Sequence, residues 1–91
     1  MKVEWQPEAE DELDAILAYL AERNPSAALA LAEALIVAAD SLSTFPHRGR
    51  PGKAAGTREL ITVSPYLLIY EIDEETGLVR ILSVWHGARD R

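Results

Sequence analysis

The stretch that most constrains this chain is residues 58–86, RELITVSPYLLIYEIDEETGLVRILSVWH. Three apolar runs rich in Leu, Ile, Val and Tyr are separated by two short polar joints, which is the pattern of consecutive strands. The spacing predicts strands over Arg58–Ser64, Tyr66–Asp73 and Leu78–His86. Asp73-Glu74-Glu75-Thr76-Gly77 reads as a hairpin turn, with Gly77 able to take positive φ. Ser64-Pro65 reads as a tighter joint, because proline cannot donate to a ladder. Leu67 and Ile69 alternate with Leu68, Tyr70 and Ile72, so this run is apolar on both faces. Such runs belong in central positions, with one face under helices and the other at least partly covered.

The upstream half supplies those helices. Val3 and Trp5 alternate with Lys2 and Glu4 in a short β-like stretch. Pro7 suits the first turn of a helix, and Glu8, Glu10 and Asp11 sit favourably against its positive end. Leu13, Ile16, Leu17 and Leu20 recur at helical spacing, predicting a helix from about Pro7 to about Glu22. Asn24-Pro25 serves as stop and start, since the residue before proline avoids helical geometry and Asn is a good N-cap. SAALALAEALIVAADSL is a strong helix former, apolar around much of its girth, and is expected to be more buried than the first helix. So short a link implies an antiparallel helical hairpin. From Ser43 to Gly56 two prolines and three glycines predict a loop, with Phe45 anchoring its start in the core.

The expected fold is α+β, in the order β-α-α-β-β-β: a two-helix antiparallel hairpin packed on a small, mainly antiparallel sheet. With 91 residues the chain is expected to be a single domain spanning 1–91. It has no cysteine for disulfides or thiolate metal sites. MKVEWQPEAE has no apolar signal core, and no run approaches the ~20 residues of a membrane span, so a cytoplasmic protein is expected.

Charge divides the chain more sharply than its total of −6 and pI near 4.8 convey. Residues 1–22 hold seven acids against Lys2 alone, whereas residues 44–58 hold Arg48, Arg50, Lys53 and Arg58 and no acid. The acids read mostly as the solvated face of a helix. The acidic total opposes nucleic-acid binding, whose affinity comes largely from cations on phosphates.

Recognised metal, phosphate-loop, dinucleotide and nucleophile-elbow spacings are absent: His47 and His86 stand far apart, and GRPGKAAG precedes a strand rather than opening a helix. No cofactor is expected. What remains is a cationic set: Arg58 at a strand start, His86 and Arg89 past a strand end, and Arg48, Arg50 and Lys53 in the loop. Metal-free RNA cleavage needs an acid, a base and cations for the developing phosphorane charge. Histidine fits either of the first two roles and arginine the last. The competing structural readings are a strand-end hydrogen bond for His86, a salt bridge with Asp90 or Glu59 for Arg89, and solubility for the loop cations. Tyr66, Tyr70, Trp5 and Trp85 read as core residues rather than base-stacking groups.

The ordered set VEWQPEAEDELDAI, FPHRGRPG, RELI, PYLLIYEID and RILSVWHGARD resembles the RelE/ParE superfamily of bacterial type II toxins over nearly the whole chain. The resemblance implies a compact toxin neutralised by a cognate antitoxin that wraps it, and so a hetero-oligomer with that antitoxin. RelE-like members are ribosome-dependent mRNA endonucleases, and ParE-like members poison DNA gyrase. The nuclease branch usually carries an arginine where this chain has Leu67, and some of its members place a tyrosine in the tail after the position of His86. Both departures point to the ParE-like branch, in which Arg48, Arg50, Lys53, Arg58 and Arg89 bind a target or antitoxin. The nuclease alternative makes His86 the acid or base, with Arg58 and Arg89 as phosphate cations. A degenerate toxin kept as an interaction module is the third reading.

Overall fold

In the computed structural model, residues 1–87 are described. A five-stranded sheet, in the order β1-β5-β4-β3-β2, carries a helical hairpin on one face. The elements are β1 (Lys2–Trp5), α1 (Pro7–Arg23), α2 (Pro25–Ser41), β2 (Arg50–Pro51), β3 (Thr57–Ile61), β4 (Tyr66–Asp73) and β5 (Leu78–His86). β4 lies at the centre and β5 beside it, as their two-faced apolar patterns require. Neighbours are antiparallel except β1, which returns to the sheet parallel to β5.

One residue sets the turn between the helices. The Asn24 N–H donates to the Leu20 carbonyl at 2.7 Å and closes α1. Its side-chain oxygen accepts from the Ala27 N–H at 3.1 Å and opens α2, with Pro25 at the first helical position. Ala9, Leu31, Leu35, Ala39 and Leu42 pack against Leu60, Leu68, Tyr70, Val79, Ile81 and Val84 to form the core. α2 buries four residues and α1 only Ala9, which agrees with the expectation that α2 is the deeper helix. Yet α2 also turns Leu29, Ile36 and Val37 to solvent, so its apolar girth exceeds what the sheet covers.

Three local expectations are corrected. β3 ends at Ile61 rather than Ser64, because Thr62 instead caps the turn, its N–H and hydroxyl both donating to the Tyr66 carbonyl. The stretch expected to be pure loop contains β2, which pairs Arg50 with Glu59 and Pro51 with Arg58 at the sheet edge. Phe45 is 63% exposed: the chain turns directly off the end of α2, with the Phe45 N–H on the Ser41 carbonyl, and its ring is left outside the core.

A bulge interrupts the β4–β5 ladder. Ile69 faces Ser83 but Tyr70 faces Ile81, so Leu82 has no partner. Simple alternation from Val79 and Ile81 would place Ser83 and Trp85 toward the helices. The extra residue reverses this, so Val84 lies in the core and His86 shares its face.

On the opposite face Arg80 bridges the hairpin, reaching Glu71 at 3.3 Å and Asp73 at 3.0 Å. Hydrogen bonding from Arg80 holds the Asp73 carboxyl below its ordinary range, aided by bonds from Thr76. The same bond to Asp73 raises the Arg80 pKa. Because the folded-state pKa of Asp73 is depressed, its contribution is present at neutral pH. That contribution is lost as pH falls below the ordinary value of about 4 toward the folded one. Urea melts of wild type and Asp73→Asn between pH 7 and pH 2 are therefore expected to converge at the acid end, with the variant less stable only above it.

Candidate functional site

The basic loop is held from beneath by a core residue. Tyr70 is completely buried in β4, where an unpartnered hydroxyl would be costly. It accepts a hydrogen bond from the Gly49 N–H at 3.0 Å and donates one to the Pro46 carbonyl at 2.7 Å. Gly49 is buried against the ring, and a Cβ there would lie 2.7 Å from the phenolic oxygen and 2.9 Å from the Glu59 carbonyl. Only glycine allows the loop to approach so closely.

The cations expected to form a working surface divide by what they touch. Arg58 Nη1 donates to the Gly49 carbonyl at 2.6 Å and the His47 carbonyl at 3.3 Å, so its guanidinium closes the loop onto β3. Arg50 donates through Nε and Nη2 to one carboxylate oxygen of Glu59, at 3.1 and 3.0 Å. Glu59 is only 4% exposed, which makes Arg50 its counter-ion rather than a free surface charge. Arg48 is exposed and donates to the Ser41 hydroxyl at the end of α2, at 2.7 Å. Lys53 is exposed on the loop between β2 and β3, and His47 lies 3.6 Å from Glu74 in the hairpin turn. Arg89 lies outside the described residues.

His86 sits elsewhere. Its ring meets Tyr66 edge-on at 5.3 Å, at one end of β4, while Arg58 pairs with Tyr70 further along that strand. Four residues of strand separate the two positions, about 13 Å, and they flank β4 on opposite sides. His86 borders a cleft of about 660 Å³ between α1 and β5, lined also by Glu12, Ile16, Tyr19 and Tyr66. Leu67 is buried on the open face of the sheet, in a row between Ile61 and Trp85. The described residues contain no cluster of three potential metal ligands, and none of their helices is long and apolar enough to cross a membrane.

Sequence reading missed Tyr70 as the loop's anchor and Glu12 as a cleft residue. A central tyrosine has the same signature whether or not its hydroxyl holds a loop. Glu12 is one of seven acids in the first 22 residues. Its carboxylate accepts a hydrogen bond from the Val84 N–H at 3.1 Å.

Removing the Tyr70 hydroxyl as Tyr70→Phe leaves a buried N–H unsatisfied and is expected to cost about 1–3 kcal/mol in urea unfolding. Arg50→Ala is expected to cost about 1–3 kcal/mol by uncovering Glu59, the exposed side of the pair tempering the loss. Arg48→Ala should remain within about 0.5 kcal/mol of wild type, as surface substitutions do.

Comparison with known proteins adds the lineage to this geometry. A family model described as the ParE toxin of type II toxin-antitoxin system, parDE, matches residues 3–91. The chain is 41% identical over 88 residues to Toxin RelE2 of Caulobacter vibrioides, covering 97% of each. It is 36% identical over 87 residues to Putative toxin Y4kP of Sinorhizobium fredii, covering 94% of this chain and 88% of the relative. Among solved structures, a chain of the chromosomal ParDE system of P. aeruginosa superposes with a TM-score of 0.82 at 22% identity, over 94% of this chain and 95% of that one. A chain of the RelBE2 toxin-antitoxin complex of Mycobacterium tuberculosis superposes with a TM-score of 0.65 at 30% identity, over 97% and 92%.

Proposed function

The chain belongs to the ParE toxin family of type II toxin-antitoxin systems, and from that premise we propose that it arrests growth by binding a protein target such as DNA gyrase, not by cutting RNA. The observation that carries this reading is the separation of the chemistry. Arg58 is turned onto the carbonyls of His47 and Gly49, four residues along β4 from His86 and on the other side of that strand. An acid or base and its phosphate cations must meet at one phosphate to cleave RNA, and these two do not. Leu67 supports the same reading, being buried in an apolar row where a nuclease would place a cation.

The partner in this reading is a cognate antitoxin, as the structural relatives come from toxin–antitoxin systems. Arg48 and Lys53, exposed on the basic loop, complement an acidic segment of such a partner. The second reading, a ribosome-dependent endonuclease, draws support from the 41% identity to a relative named RelE2 and from the cleft beside His86.

Two assays on induced cells and purified toxin separate these readings. Inhibited supercoiling by gyrase with intact cellular mRNA is expected. Codon-phased mRNA cuts that vanish in His86→Ala would instead establish the endonuclease. Induction without any growth defect would identify a degenerate toxin.

For the loop, Arg48→Glu with Lys53→Glu is expected to weaken antitoxin binding by about tenfold or more, in line with charge reversal at an interface. The change should be readable by calorimetry, with the melting temperature unchanged. Equal affinity would exclude the loop as the antitoxin contact. Arg50 is unsuitable for this test, since reversing it would also expel the Glu59 partner.

A further inference from the structure

α2 (Pro25–Ser41) carries two charges along its length, Glu33 and Asp40, and both are exposed. It also turns three large apolar side chains to water: Leu29 is 64% exposed, Ile36 48% and Val37 68%. At 3.6 residues per turn these five positions fall within about 100° of one another around the helix. The face they share is turned away from Leu31, Leu35 and Ala39, which pack in the core. A packed helix needs one apolar face, toward the sheet. A second one, facing water, contributes nothing to the fold and marks a contact surface.

The chemistry of this stripe selects what covers it. The main-chain groups of α2 are bonded within the helix, so contact is made by side chains, and a row spaced by three and four receives the ridge of another helix. Glu33 lies between Leu29 and Ile36, and Asp40 follows Val37, so carboxylates border the apolar positions. α1 adds Glu8, Glu10, Asp11, Asp14 and Glu22 to the exposed surface of the helical layer. Its cation, Arg23, is stacked over Tyr19 at 3.7 Å and lies 3.8 Å from Glu22. The complementary surface is therefore a helix that is apolar along one side and basic at its borders. Two copies of this chain meeting through the stripe would set these acids against one another. The antitoxin segment that complements Arg48 and Lys53 is acidic, and the same carboxylates repel it.

We propose that the outward stripe of α2 is the docking site for the toxin's protein target, which presents a basic amphipathic helix to it. The inference rests on the reading of the chain as a target-binding toxin, and it names the surface and the chemistry of that contact. Leu29, Ile36 and Val37 enter the apolar side of the incoming helix. Glu33 and Asp40, one heptad apart, pair with Lys or Arg side chains at matching positions. Apolar burial supplies most of the affinity, and the two carboxylates fix direction and register. Target and antitoxin segment are thereby told apart by surfaces of opposite sign.

The test uses the full-length toxin, the antitoxin from its own operon and the DNA gyrase holoenzyme. Two variants are compared with wild type: Ile36→Gln with Val37→Gln, and Glu33→Lys with Asp40→Lys. All four positions are exposed, so melting temperatures are expected to be unchanged. Each variant is expected to weaken gyrase binding, and to raise the concentration that half-inhibits supercoiling, by about tenfold or more. Antitoxin affinity is expected to stay within about twofold. Wild-type inhibition that both variants retain in full overturns the docking site. Loss confined to the glutamine variant overturns the basic character of the partner. Variants that lose antitoxin affinity in place of gyrase affinity assign the stripe to the antitoxin, and a wild-type dimer that both variants dissolve assigns it to a second copy; either result overturns the proposal. A wild-type toxin that neither binds nor inhibits gyrase overturns the reading on which the inference rests, and the inference with it.

Discussion

The arrangement of the basic surface depends on a phenolic hydroxyl with no access to water. Tyr70 belongs to the core by its ring and to the loop by its hydroxyl, which accepts a hydrogen bond from the Gly49 N–H and donates one to the Pro46 carbonyl. Packing of the central strand therefore determines where residues 46–49 run. Once they run there, Arg58 finds two carbonyls to bind and Arg50 falls opposite Glu59 in the β2–β3 register. A cluster that looks electrostatic in the sequence is thus half structural. The cations that remain directed outward are carried on a loop fixed from inside.

This explains which parts of the molecule could be read from its residues. β4 and β5 were legible to the residue, because uninterrupted apolar runs bounded by Ser64-Pro65 and Gly77 leave little choice of ends. Asn24-Pro25 announced the hairpin because both capping roles are local. β2 was not legible: its two residues, one a proline, are a strand only by virtue of their partners Glu59 and Arg58 in the next strand. Phe45 misled because an aromatic after a helix has the same signature whether it turns in or out. The roles of Arg50 and Arg58 were hidden for a related reason, since a sequence shows that a charge exists and not what faces it. Glu12 was one acid among many until the topology placed it beside the Val84 N–H.

The opposite charges of the two halves also acquire a spatial meaning. The acids of α1 lie on the helical layer and the outward cations on the loop at the other edge of the sheet. A partner that contacts both regions meets surfaces of opposite sign, and its own charges must be ordered along its length to match. Such ordering gives direction as well as affinity, and like charges brought together in the wrong orientation are penalised.

Leu82 has a consequence that reaches beyond this chain. Because it is the unpaired residue of the bulge, the ladder absorbs it, and the pairs on either side of it, Tyr70 with Ile81 and Ile69 with Ser83, are consecutive along β4. Deleting that position would therefore close the bulge into regular alternation, with Val84 and His86 still on the helix side and Ser83 and Trp85 on the other. Among related chains, then, a difference of one residue in length at this point can leave every later facing unchanged. What changes is the count along the strand, and comparisons that allow no gap here would align residues that never shared a surface.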